Sequence, residues 1–167
     1  MYGYVNNSQV YRCPADKSTV RGLAAIPRTR SYSIDNWLND DPTAVGMPVA
    51  LLRPYMKTKS SELLKPTQVF TFIDEQEQCI DDGILLASHP IVSPENRNNW
   101  ADIPADRHNQ GCSIAFADGH AEHWHWKYPK RFHGGASPHL QPAASVAEDP
   151  QQNDLKDLRQ MQTWIPF

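Results

Sequence analysis

Apolar and polar positions along this chain fall mostly into short runs with the period of a strand. Gln68-Val69-Phe70-Thr71-Phe72-Ile73 is the clearest: β-branched and aromatic, without a breaker, and closed by Asp74-Glu75. Arg30-Ser31-Tyr32-Ser33-Ile34 alternates in polarity and also reads as a strand. Ile80 to Ala87, interrupted by Asp81-Asp82-Gly83, reads as a strand returning beside 68–73. Ser113 to Ala117, then Asp118-Gly119, then His120 to Trp126 is a hairpin signal, because Asp-Gly suits a two-residue turn in which both positions need positive φ. That turn sets a register in which Ala117 faces His120 and Ser113 faces Trp124. On the opposite face Ile114 meets His123 and Cys112 meets His125.

Helical period is scarce. Leu155, Leu158, Met161 and Ile165 form one stripe and predict a helix over 153–165, with Asn153 as its cap, Asp154 and Asp157 at its positive end, and Pro166 closing it. Residues 51–64 hold one short helix, capped by Ser60 or Ser61 and ended by Pro66. Between these elements the chain is punctuated. Val10 to Cys13 is a short β-type piece before a turn at Pro14-Ala15-Asp16. Asp40-Asp41-Pro42 and Met47-Pro48 mark a loop, and residues 88–106 read as a long ordered loop. Residues 129–150 lack periodicity and read as an extended arm. The division expected is therefore a globular head over 1–128, a Pro-rich arm over 129–150, and a C-terminal helix over 151–167.

Composition narrows the class. With 167 residues, 40% hydrophobic and 21% charged, the chain suits one ordered domain with an appendage. No apolar run approaches the roughly 18 residues of a membrane span. A net charge of -3 argues against a nucleic-acid partner. Fourteen prolines against eight glycines favour ordered, extended connections. Three cysteines, Cys13, Cys79 and Cys112, form no CxxC pair and read as buried small hydrophobes, with one disulfide as the alternative.

With these pieces placed, the chain resembles bacterial prepilin-type proteins that carry the processing-associated H-X9-DG domain. His108, nine residues, and Asp118-Gly119 supply that signature. Cys13-Pro14-Ala15-Asp16, Arg30-Ser31-Tyr32-Ser33-Ile34-Asp35-Asn36, Phe72-Ile73-Asp74-Glu75, Asp82-Gly83 and Arg107-His108-Asn109 are similar to the family's further elements. The likeness covers about residues 4–126 and the closing stretch from Asp154. It implies an α+β fold: an antiparallel β-sheet head of pseudopilin type, with short helices and a C-terminal helix, packed on an apolar stem helix. It implies export, membrane anchoring and assembly with other pilin-type subunits. Met1-Tyr2-Gly3-Tyr4 shows neither a basic start nor an apolar run, so the chain as it stands carries no signal and reads as cytoplasmic. A sheet face made for a stem would be bare, which predicts a homo-oligomer.

Four groups of residues could carry chemistry. His108 and Asp118 could share a metal only through a sharp reversal of the chain, since the strand between them spans about 20 Å. The plainer reading is that Asp118 shapes its turn and His108 packs. Asp74, Glu75, Glu77, Asp81 and Asp82 are five carboxylates suited to Ca²⁺; the resemblance adds that related pseudopilins bind calcium in a head loop. His123 and His125 share a strand face and suit Zn²⁺ or Cu²⁺ if a third ligand arrives, with His133 beyond. Trp124 and Trp126 lie beside Glu122, and with Trp100 they could line a sugar-binding surface rather than a core.

Three functions follow. The first is a non-catalytic pseudopilin-like head acting in assembly or ligand contact of a secretion or pilus-type system. The alternative is a small glycan hydrolase using Glu75 and Asp118, with His108, beside the tryptophans, which needs two carboxyls about 5–9.5 Å apart. A metal-binding module is the third possibility.

Overall fold

The computed structural model describes residues 5–20, 22–38, 49–132, 137 and 139–166. The loop at 40–48, the first four residues and His133 lie outside these. The fold is α+β. Its centre is a five-stranded sheet in the order β5-β3-β4-β7-β8. The strands are β3 (Tyr32–Asp35), β4 (Phe70–Asp74), β5 (Ile84–Leu85), β7 (Gly111–Phe116) and β8 (Ala121–His125). Two small ribbons flank it: β1 (Thr19–Val20) with β2 (Leu23–Pro27), and β6 (Asn99–Trp100) with β9 (Gln141–Pro142). The helices are α1 (Val49–Leu52) and α2 (Asn153–Gln162). No helix among the described residues is long and apolar enough to cross a membrane.

The sheet is antiparallel except at β5. Ile84 and Leu85 pair in parallel with Ile34 and Asp35 on the outer side of β3, so residues 80–87 do not return along β4 as expected. The turn before β5 explains the diversion. Gly83 sits at φ 108, Asp82 Oδ1 accepts the Ile84 N–H, and Arg30 donates to the Asp82 carbonyl. These contacts carry the chain across the end of β3. The Val10–Cys13 piece is also not a strand: Ser8–Tyr11 is a 3-10 turn capped by the Asn7 side chain.

The Asp118-Gly119 hairpin forms, with a register one residue from that expected. Only Gly119 is left-handed, at φ 94. Gly119 N–H donates to the Phe116 carbonyl at 3.0 Å and Phe116 N–H to the His120 carbonyl at 2.9 Å, which makes a three-residue loop with a bulge. Cys112 therefore opposes Trp124, Ser113 opposes His123, and Gly111 opposes His125. A one-residue slip changes which residues share a face. Trp124 joins the face of Cys112 and Ile114, while His123 and His125 go to the opposite face.

One sheet face builds the core. Phe70, Ile73, Cys112, Ile114 and Phe116 pack there against Leu158, Met161, Trp164 and Ile165 from α2 and the residues after it. The Trp164 ring stands edge-on to Phe116 and to Trp124, and its carbonyl accepts the Phe70 N–H. The loop over 88–106 closes the other end with Trp100 and Ile103. The described residues of the 129–150 stretch, expected as an extended arm, are bound to the body. Lys130 is buried there, its Nζ 2.9 Å from Asp154 and 2.8 Å from Asp157, over the rings of Trp100 and Trp126. The helix cap is also not Asn153: Asp149 Oδ2 accepts the Asp154 N–H instead.

The opposite face carries a row across all five strands. Ile84, Ile34, Phe72, Ala115 and Ala121 are successive register partners, so their side chains share one side. All five retain solvent exposure.

Candidate functional site

At one end of this outer face three distant segments meet. The turn at Pro14 brings Cys13 in, and Ser31 N–H donating to the Tyr11 carbonyl fastens that segment to β3. Asp74 is the last residue of β4 and opposes Tyr32. His108 precedes β7. Between it and the strand, Asn109 and Gln110 both take left-handed backbone, at φ 52 and 56, and His108 N–H reaches the Gly111 carbonyl. Two successive left-handed non-glycine residues are costly, and such conformations cluster at functional positions. The chain reverses sharply here, but toward Cys13 and Asp74 and not toward Asp118, the partner for which a reversal was considered.

The reversal delivers His108 to Cys13 and Asp74. His108 Nε2 lies 3.1 Å from Cys13 Sγ and 3.2 Å from Asp74 Oδ2. The three donor atoms all lie within 4.8 Å of one another. Cys13 and Asp74 are fully buried, while the His108 side chain is 30% exposed. Arg107 holds the carboxylate from the other side: its guanidinium bonds Asp74 Oδ1, the Glu75 carbonyl and Glu77. His123 Nε2 donates to the His108 carbonyl at 2.8 Å. Burial raises the Asp74 carboxyl above its usual range against the opposing pull of Arg107 and His108. Burial, with Cys13 and Asp74 nearby, pushes the Tyr32 hydroxyl up to about 12.

Glu75 points the other way, into the body. Ser33 donates to its Oε2, its Oε1 has no hydrogen-bond partner among the described residues, and burial pushes its carboxyl up to about 8. Asp118 stands at the far end of β7, exposed, bonding His120 through its Oδ1. The six residues of β7 separate the two ends by about 20 Å. Glu75 and Asp118 are therefore not brought together, nor are His108 and Asp118.

The other sequence candidates also disperse. Asp82 Oδ1 caps the turn into β5, Asp81 pairs with His139 at 3.1 Å, and Glu77 pairs with Arg107, so the five acidic residues do not converge. His123 and His125 are exposed neighbours on β8, and among the described residues no third ligand joins them, His123 being turned to the His108 carbonyl. Trp100 and Trp126 are sealed in the core; Trp124 is half-buried beside Trp164. Those rings do not form a stacking platform for a sugar, and Glu122 is exposed on the edge strand.

Sequence reasoning missed two groupings. Cys13 was expected as a packing residue, although it lies in one of the elements singled out, as do Asp74, Arg107 and His108. His139 bonds Asp102 through Nδ1 and Asp81 through Nε2. Burial pushes the Asp102 carboxyl up to about 6. Burial works against the His139 charge, but these two carboxylates outweigh it and raise the imidazole. All three cysteines are free thiols. Comparison of the chain with protein-family models, curated proteins and solved structures returns no match.

Proposed function

We propose that this chain is a non-catalytic head domain of pseudopilin type, which works by assembly with a second copy or with pilin-type subunits. What supports the reading is the outer apolar row Ile84–Ile34–Phe72–Ala115–Ala121. The core face of the sheet is closed by the chain's own α2, whereas this row keeps solvent exposure. In the family that the sequence resembles, the head's sheet packs on an apolar helix, and a row of this kind is what such a helix covers. The hydrolase alternative is weakened because its two carboxylates, Glu75 and Asp118, are not brought together and, among the described residues, Trp100, Trp124 and Trp126 form no open platform.

The test is sedimentation velocity of the purified chain over a concentration series, alone and with a pilin-type stem helix added as a peptide. Association that Phe72→Glu abolishes, with the fold intact by circular dichroism, supports the reading. A wild-type chain that stays monomeric at tens of micromolar and ignores the peptide overturns it.

A further inference from the structure

We propose that Cys13, Asp74 and His108 form a binding site for one divalent cation of the Zn²⁺ class, with its fourth position open to solvent. The site is distinct from the outer apolar row and does not depend on the assembly reading.

The geometry is the first argument. Zn–S of about 2.3 Å and Zn–N or Zn–O near 2.0–2.2 Å at tetrahedral angles place ligand atoms roughly 3.2–3.6 Å apart. Sγ to Nε2 at 3.1 Å and Nε2 to Oδ2 at 3.2 Å are close to that spacing before any ion draws the groups into place. The donors come from segments separated by up to 95 residues, so local chain geometry alone does not account for their meeting.

The second argument is the competition at one atom. A single ring nitrogen, His108 Nε2, faces both a thiol and a carboxylate. In a Cys-His-Asp catalytic arrangement the nucleophile and the acid occupy opposite ring nitrogens, so that one orients the base while the other gives up its proton. Here both crowd the same nitrogen, which is the pattern of three ligands aimed at a common point. A cation there would accept a lone pair from each.

The third argument is the support around them. Arg107 binds Asp74 through Oδ1 and leaves Oδ2 turned toward His108. His123 steadies the His108 backbone. Contacts of this kind orient ligands and are a regular part of metal sites. A thiolate with one imidazole and one carboxylate selects Zn²⁺ or Co²⁺; Ca²⁺ and Mg²⁺ want six or more oxygens. The partial exposure of His108 supplies an entry path.

Binding requires loss of the thiol proton, with the sulfur electron pair then directed at the metal. The test uses the full chain stripped by a chelator and titrated with Co²⁺, then Zn²⁺. One equivalent of Co²⁺ should give tetrahedral ligand-field bands and a thiolate-to-cobalt charge-transfer band, and Zn²⁺ should bleach both. His108→Gln alters a part-exposed side chain and should weaken binding at least tenfold while the chain stays folded. Cys13→Ser should remove the charge-transfer band. His125→Gln should keep the stoichiometry and the spectrum. Absence of a one-to-one complex overturns the proposal. So does a spectrum unchanged in Cys13→Ser, or binding lost only in the β8 histidine variant.

Discussion

Lys130 Nζ lies 2.8 Å from Asp157 Oδ2, and both side chains are sealed from solvent. The contact ties the segment after β8 to the first turns of α2. The same ammonium reaches Asp154 and sits about 5 Å above two indole rings. Asp157 also accepts the N–H groups of Lys127 and Tyr128. Lys130→Met leaves two buried carboxylates without their cation, which typically costs 3–5 kcal/mol. Urea denaturation should show a loss of about that size. A loss below roughly 1 kcal/mol would mean that the pair contributes little to holding α2 in place.

Two glycines should respond differently to alanine. At Gly111 an added Cβ would stand 2.3 Å from the Trp124 carbonyl oxygen, a backbone atom that cannot swing aside. At Gly119 nothing lies within 4 Å, and only φ of +94 opposes a side chain. Gly119→Ala should cost about 1 kcal/mol, and Gly111→Ala clearly more, because β7 and β8 must separate to admit it. Thermal melts of the two variants, compared side by side, check the order.

His89 gives the fold an acid limit. Its ring is buried between Trp37 and Tyr55, and its Nδ1 accepts the N–H groups of Ile91 and Val92. Burial, with Lys57 nearby, brings its pKa down to about 4 from the model-peptide value of 6.5. The unfolded chain therefore binds a proton at higher pH than the folded one. The contribution is fully present above about 6.5 and is lost as pH falls toward 4, with a slope of up to about 1.4 kcal/mol per pH unit. His89→Asn should flatten that part of the stability profile. An unchanged slope would show that another group sets it.

Phe72→Glu tests the outer face directly. A carboxylate placed in an apolar contact should weaken self-association by more than about tenfold, the equivalent of 1.4 kcal/mol. Thr71→Glu, on the neighbouring residue of β4, should have a smaller effect. Equal responses in sedimentation would count against the row as the contact.

β3 was legible from its alternation, β4 from its unbroken β-branched and aromatic run, and β7 and β8 from the turn signal between them. β5 was not, since two residues carry no period and its parallel partner is some fifty residues away. The Asp118-Gly119 turn was located correctly and given the wrong loop length, because Asp-Gly satisfies both a two-residue turn and a glycine bulge. That one-residue difference decided where His123, Trp124 and His125 point. Lys130 sits in a basic run that looks like a solvated surface, and nothing local tells one lysine of the run that it will be buried. The Asp154 and Asp157 spacing, three apart on one helix face, was the available hint. Cys13, Asp74 and His108 each lie in a singled-out element, yet their meeting depends on long-range folding that no local pattern encodes.

The two margins of the central sheet also constrain how copies can join. On one side β5 offers only two residues, too few to template a further strand. On the other, β8 is longer but bristles with Glu122, His123 and His125 in solvent, polar groups of the kind that blunt an open edge. Growth by adding strands is thus obstructed at both borders. Subunits that come together must stack broadside, and a filament built this way would not acquire cross-β character.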